Sequence, residues 1–116
     1  MHREKRESQE QRVTNVEIAE LRQTLQHLLV EATQQGRISQ REAFVVGARM
    51  AIADGTWQTL RDIAQALAVR RERVRQIQNR ALWKLCQQTA FAAAFHTYLK
   101  RISPPKARHQ KPPWLH

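Results

Sequence analysis

The chain has 116 residues, one domain's worth, and sets 20 Lys and Arg against 10 Asp and Glu for a formal net charge of +10. Such a surface attracts polyanions and puts nucleic acid or an anionic membrane first among partners. The longest apolar run, Ala90 to Phe95, is far too short to span a bilayer; the charged N-terminus has no apolar stretch behind it; and a single cysteine, Cys86, excludes an internal disulfide.

Residues 1–13 are polar and charged and are expected to be a disordered head. Thr14 with Glu17 three residues on reads as a capping box, and Ile18, Leu21, Leu25, Leu28, Leu29 and Ala32 follow at helical spacing. Gly36 stands where a left-handed stop residue belongs, so the first helix is expected over about 15–35. Ser39 and Glu42 form a second capping box. A more apolar helix follows, through Phe44, Val45, Val46, Ala48, Met50, Ala51 and Ile52, expected to end at the turn dipeptide Asp54-Gly55. Thr59, with Asp62 in the N3 place, caps a third helix from Leu60 to Leu67. A fourth begins near Arg71 and reaches at least Leu85. Phe91, Phe95, Tyr98 and Ile102 form another stripe, which either continues the fourth helix or breaks from it. From Ser103 on, two proline pairs forbid helix, and Lys106, Arg108 and Lys111 make residues 103–116 a basic tail, expected to be mobile. No strand pattern occurs. The expectation is an all-α domain of four or five helices over 14–102.

Residues 60–79 fit a helix-turn-helix template. Ile63 is a core position, Ala64 is small where two helices cross closely, Leu67 closes the first helix, Ala68 sits in the turn, and Val69, Val74 and Ile77 are buried. At 100° per residue, Val74, Ile77, Ala81 and Leu85 share the inner side of the second helix. Opposite them lie Glu72, Gln76, Asn79 and Trp83. Arg71 and Arg75 flank this strip on one side, Arg73 and Arg80 on the other. A strip of hydrogen-bonding groups between two rows of guanidinium groups matches a major groove, where base edges lie between two rows of phosphates. Charge points the same way. Residues 14–55 carry net −1, whereas residues 56–86 carry seven basic and two acidic groups, net +5.

Thr59-Leu60, Asp62-Ile63-Ala64, Leu67, Val69, the run RERVRQI from Arg71 to Ile77, Arg80-Ala81-Leu82 and Lys84-Leu85 resemble the C-terminal DNA-binding region of bacterial sigma factors, region four. Ile38-Ser39-Gln40-Arg41-Glu42, the apolar helix after it and Asp54-Gly55 resemble that region's preceding helix and loop, so the likeness covers about residues 16–86. It implies a sigma region four-like fold, of the winged-helix type without the wing, with the helix-turn-helix at 59–85. It also implies base reading by Arg71, Glu72 and Gln76, to which the position of Asn79 on the strip adds a fourth. Arg73, Arg75, Arg80 and Lys84 are implied as phosphate or activator contacts, and Arg70 is grouped with the phosphate-binding residues. The target implied is a −35-like promoter element in double-stranded DNA. The near-neutral first two helices would match the part that grips the β-subunit flap of RNA polymerase, or would meet another sigma-type subunit. Three departures from the pattern stand out: Ala68 for the usual turn glycine, Arg70 for the usual Ser/Thr cap, and Trp83 for a usual basic residue.

Nothing in 116 residues resembles the parts of a sigma factor that bind core polymerase most tightly or melt DNA. The expectation is therefore a free-standing regulator, half of a split sigma factor, or a protein of a phage or mobile element, acting in a bacterial cytoplasm. The rival expectation is a protein-interaction module with weak DNA binding. Trp83, Phe91, Phe95 and Tyr98 are its candidate contact residues, or those of a homodimer, if they are exposed together; otherwise they pack in the core against the first helix. His2, His27, His96, His109 and His116 lack ligand spacing, and there is no phosphate-loop or dinucleotide glycine pattern. Neither metal, cofactor nor enzymatic activity is expected, and no membrane partner.

Overall fold

The computed structural model of the chain describes the backbone of residues 2–102 and the side chains of residues 15–102. The tail expected to be mobile, 103–116, lies outside the described residues. Five helices and no strands make up the described part: α1 (His2–Gln34), α2 (Gln40–Arg49), α3 (Leu60–Leu67), α4 (Arg71–Leu85) and α5 (Thr89–Ile102). None is long and apolar enough to cross a membrane.

Two of these helices differ from expectation. The first runs without interruption through Thr14, so that residue does not start a helix and residues 2–13 are helical. The physical reason lies in composition: Glu, Arg, Lys and Gln are good helix formers, and polarity alone does not stop a helix that has already nucleated further along. The second ends at Arg49, several residues before Asp54-Gly55. There the Ile52 amide donates to the Gly47 carbonyl at 2.9 Å, and Ala51 takes a left-handed φ of 58°. This is a Schellman closure with alanine where glycine is usual. The first helix closes the same way through Gly36 (φ 74°), with the Arg37 amide on the Ala32 carbonyl at 2.9 Å. The stripe at residues 91–102 is a separate helix: α4 stops at Leu85, and α5 begins at Thr89.

The apolar side chains form two clusters. In the larger, Leu25, Leu29 and Ala32 of α1 meet Phe91, Phe95 and Tyr98 of α5, with Val46, Ile52, Leu82 and Leu85 beneath. In the smaller, Val45 and Ala48 of α2 hold Ile63 and Ala64 of α3 against Val74 and Ile77 of α4. The helix α2 thus feeds both clusters and joins the α1–α5 layer to the α3–α4 pair. Among the candidate contact residues, Phe91, Phe95 and Tyr98 are therefore core and unavailable to a partner. Their spacing puts all three on the face of α5 that packs on α1.

Candidate nucleic-acid interface

Local chemistry sets the first half of the interface. The Thr59 hydroxyl accepts from the Asp62 amide at 3.0 Å, and the Asp62 carboxylate accepts from the Thr59 amide at 3.3 Å, so α3 begins on a complete capping box. It ends at Ala68, φ 56°, with the Val69 amide on the Ala64 carbonyl at 3.0 Å. The chain then re-enters helix at Arg71. Its N-cap, Arg70, has the extended backbone that the position needs but makes no side-chain capping bond. The expected loss of a cap hydroxyl is real, and the start of α4 is left without a side-chain acceptor.

The inner side of α4 is as derived: Val74, Ile77, Ala81 and Leu85 are buried. Arg70, Arg71, Glu72, Arg73, Arg75, Gln76 and Arg80 are all exposed on its other sides. Within that strip two groups are paired. The Arg75 guanidinium donates to both Glu72 oxygens, Nη2 to Oε1 at 2.6 Å and Nε to Oε2 at 3.0 Å. Those hydrogen bonds hold the Glu72 carboxyl below the usual carboxylate range and push Arg75 up. Asn79 is only half exposed. Its Oδ1 accepts from the Gln78 amide at 3.1 Å, and Gln78 is itself buried.

Two expected positions sit differently. Lys84 does not project freely: its Nζ donates to the Glu42 carboxylate of α2 at 3.1 and 3.2 Å. Its charge serves the α2–α4 contact first. Burial raises the Glu42 carboxyl, but the Ser39 amide and the Lys84 ammonium outweigh it and hold that group below the ordinary range. Trp83, by contrast, is 66% exposed and stands apart from the three buried aromatics of α5. It is the one member of that candidate set on the surface.

Sequence reasoning missed Arg61. It lies exposed on α3 and lines, with Arg71, an open cleft of about 420 Å³ over the turn, floored by Ala64, Ala68 and Val69. Its position in the first turn of α3, on the side away from the buried Ile63, was the available signal. Also missed were the groups that fix the loop before α3. The Tyr98 hydroxyl donates to the Met50 and Ala51 carbonyls at 3.0 Å each, Gln26 Nε2 donates to the Ala53 carbonyl at 2.6 Å, and Arg49 Nη1 to the Gln58 carbonyl at 3.2 Å. These reach across up to 48 residues, so no local pattern announces them. On the opposite side of the molecule, α1 and α2 enclose an apolar groove in which Val30 and Phe44 remain about half exposed.

Two helices joined by a tight left-handed turn, with the second buried on one side and lined with arginines on the other, define a helix-turn-helix DNA-binding domain. Residues 36–86 match the family model Sigma-70, region 4. A 67-residue stretch is 45% identical to the RNA polymerase sigma-C factor of Nostoc sp., covering 58% of this chain and 15% of that protein. A 62-residue stretch is 40% identical to the RNA polymerase principal sigma factor HrdD of Streptomyces viridifaciens, covering 51% of this chain and 19% of that protein. The chain thus spans less than a fifth of the length of these relatives. No solved structure matches it.

Proposed function

We propose that the chain is a cytoplasmic transcription regulator that reads a −35-like element in double-stranded DNA with α4. One observation carries the reading: Glu72 and Gln76 are exposed one turn apart on the side of α4 opposite its buried residues, between rows of exposed arginines. Gln pairs with adenine, Glu accepts from the cytosine amino group, and Arg71 pairs with guanine. Arg73 and Arg80, at the sides, face phosphates. A phosphate oxygen beside Arg70 would also accept from the uncapped amides at the start of α4. The pairing with Arg75 holds Glu72 ionised, the form that accepts.

Selection from random duplexes tests this. The wild type should enrich a motif resembling a −35 hexamer. Gln76→Ala and Glu72→Ala should each lose preference at one base pair, at a cost of roughly 1–3 kcal/mol. Arg73→Ala and Arg80→Ala should weaken all duplexes alike and lower the log–log salt slope by about one each. If no motif is enriched, or both α4 variants keep the wild-type preference, α4 is not the reader.

A second reading is favoured by the groove beside Val30 and Phe44. In it, the α1–α2 side binds a helix of RNA polymerase, such as the β-subunit flap, or another sigma-type subunit, and DNA contact is secondary. Co-purification with core polymerase, with and without duplex, separates the two. Retention by polymerase of a chain that selects no motif favours the second.

A further inference from the structure

The two rows of arginines beside the reading strip of α4 are not equally free. On one flank Arg73 and Arg80 are exposed, and neither bonds to a carboxylate among the described residues. On the other flank Arg75 is held by both Glu72 oxygens, which leaves Arg71 as the free cation of that row. The cleft over the turn opens on this depleted flank, since Arg71 forms part of its wall. The rest of the wall comes largely from α3. There Arg61, Ala64, Gln65 and Ala68 recur at three and four residues, so they form one stripe that ends beside the start of α4.

We infer that this cleft seats a backbone phosphate of a DNA duplex, and that Arg61 is the contact by which α3 completes the row that Arg75 leaves short. Three observations carry it. First, the cleft is lined by two cations and no acid. Residues 56–86 hold two carboxylates, Asp62 and Glu72, and both are engaged: Asp62 closes the capping box with Thr59, and Glu72 binds Arg75. Neither Arg61 nor Arg71 has a carboxylate partner among the described residues, so their joint field is uncompensated and favours an anion. Second, the floor offers room and no competing acceptor. Ala64, Ala68 and Val69 are small enough to leave about 420 Å³ open. The Ala64 carbonyl is taken by the Val69 amide at 3.0 Å and the Gln65 carbonyl by the Ala68 amide at 3.3 Å. Third, when the start of α4 enters a major groove, the stripe of α3 beside it meets the bordering strand, where the acceptors are phosphates and not base edges.

The inference rests on the reading of DNA by α4 and divides the labour within it. Phosphate contacts fix register and orientation but carry no sequence information. Arg61 therefore sets how α4 lies in the groove, while Glu72 and Gln76 choose the bases.

Salt titrations and a phosphate scan with the full-length chain test this. On selected and random duplexes alike, Arg61→Ala should lower the log–log salt slope by about one, so that the wild-type advantage shrinks about 3.5-fold between roughly 50 and 200 mM salt. The enriched motif should not change. Arg61→Lys keeps the charge and should keep the slope. Replacing backbone phosphates one at a time by neutral methylphosphonates should reveal one position that weakens the wild type severalfold and Arg61→Ala not at all. Gln65→Glu, which puts a carboxylate in the same cleft, should weaken binding too. Both side chains are exposed, so both variants should keep the wild-type urea midpoint. A wild-type slope for Arg61→Ala, or equal responses of the two proteins to every neutralised phosphate, overturns the phosphate site and leaves the reading by α4 standing. A lowered slope in a protein that enriches no motif keeps the site and sinks that reading. If inorganic phosphate shifts the Ala64 and Ala68 amides while no methylphosphonate separates the two proteins, the occupant is a free anion and the assignment to a duplex is overturned.

Discussion

Single residues set the two turns that flank the interface, and both use alanine in a conformation that suits glycine. An L-residue in the left-handed region is strained by about 1–2 kcal/mol, whereas glycine adds about 0.5–1 kcal/mol of backbone entropy to be lost on folding. At Ala68 the methyl is exposed and contributes no burial. Ala68→Gly should therefore raise unfolding stability by about 0.5–1 kcal/mol, read as a higher urea midpoint at unchanged slope. Ala51 has the same left-handed backbone but is 2% exposed. Its methyl is worth about 0.8 kcal/mol in the core, so Ala51→Gly should be close to neutral. Equal gains at both sites would show that strain, and not burial, decides. The methyl of Ala68 also lines the cleft between Arg61 and Arg71, so the variant leaves the arginines of that cleft in place.

At the scale of elements, the ends of α2 and α4 carry the information. Serine is a far better N-cap than arginine, so Arg70→Ser should stabilise the fold by about 1 kcal/mol. On the DNA reading, the same change removes one guanidinium and lowers the salt slope by about one. Stability and affinity then move in opposite directions, and thermal melts alongside salt titrations measure both. Glu42 closes the capping box of α2 and holds Lys84 of α4 at once. Its folded pKa is lowered, so the stability it contributes is full above the ordinary carboxylate value and is lost as pH falls through the folded value. Glu42→Gln should cost about 1 kcal/mol at pH 7, and the two proteins should converge well below about pH 4.3. Denaturation midpoints across pH 3–7 check this. Element boundaries also mark how far the sequence can be read. Ser39 with Glu42 and Thr59 with Asp62 mark true helix starts because both partners lie within one turn. The same pattern at Thr14 and Glu17 misleads because the residues before it are themselves helix formers. The end of α2 falls earlier than the turn dipeptide suggests because the Ile52-to-Gly47 bond and the distant Tyr98 decide it, and neither shows in local periodicity. The inner side of α4 is legible residue by residue, since one helix period fixes it. The partnering of Lys84 is not, since Glu42 is 42 residues away.

Across the whole molecule, Tyr98 is the joint between its two layers. From α5 its hydroxyl holds the carbonyls of Met50 and Ala51, where the chain leaves α2 on its way to α3. Tyr98→Phe keeps the ring but leaves those buried acceptors without this donor, which should cost about 1–3 kcal/mol. Hydrogen exchange should quicken first at Ile52 and Ala53, whose amides close the end of α2, while the amides in the middle of α4 should follow only global unfolding. Uniform acceleration would show that the joint is no weaker than its surroundings. The placement of charge has its own consequence. Exposed arginines line the side of α4 away from α2, while Glu17, Glu20 and Glu31 lie on α1. Among the described residues the charge is thus placed unevenly, densest and positive along α4, and with this dipole a polyanion's field exerts a torque that turns α4 toward it before any contact forms. For a duplex this shows in the rate of arrival. Glu20→Gln and Gln65→Lys raise the net charge equally, but the first weakens the dipole and the second, on exposed α3 beside Arg61, strengthens it. Association at low salt should therefore quicken more for Gln65→Lys; equal rates would mean that total charge, and not its placement, does the steering.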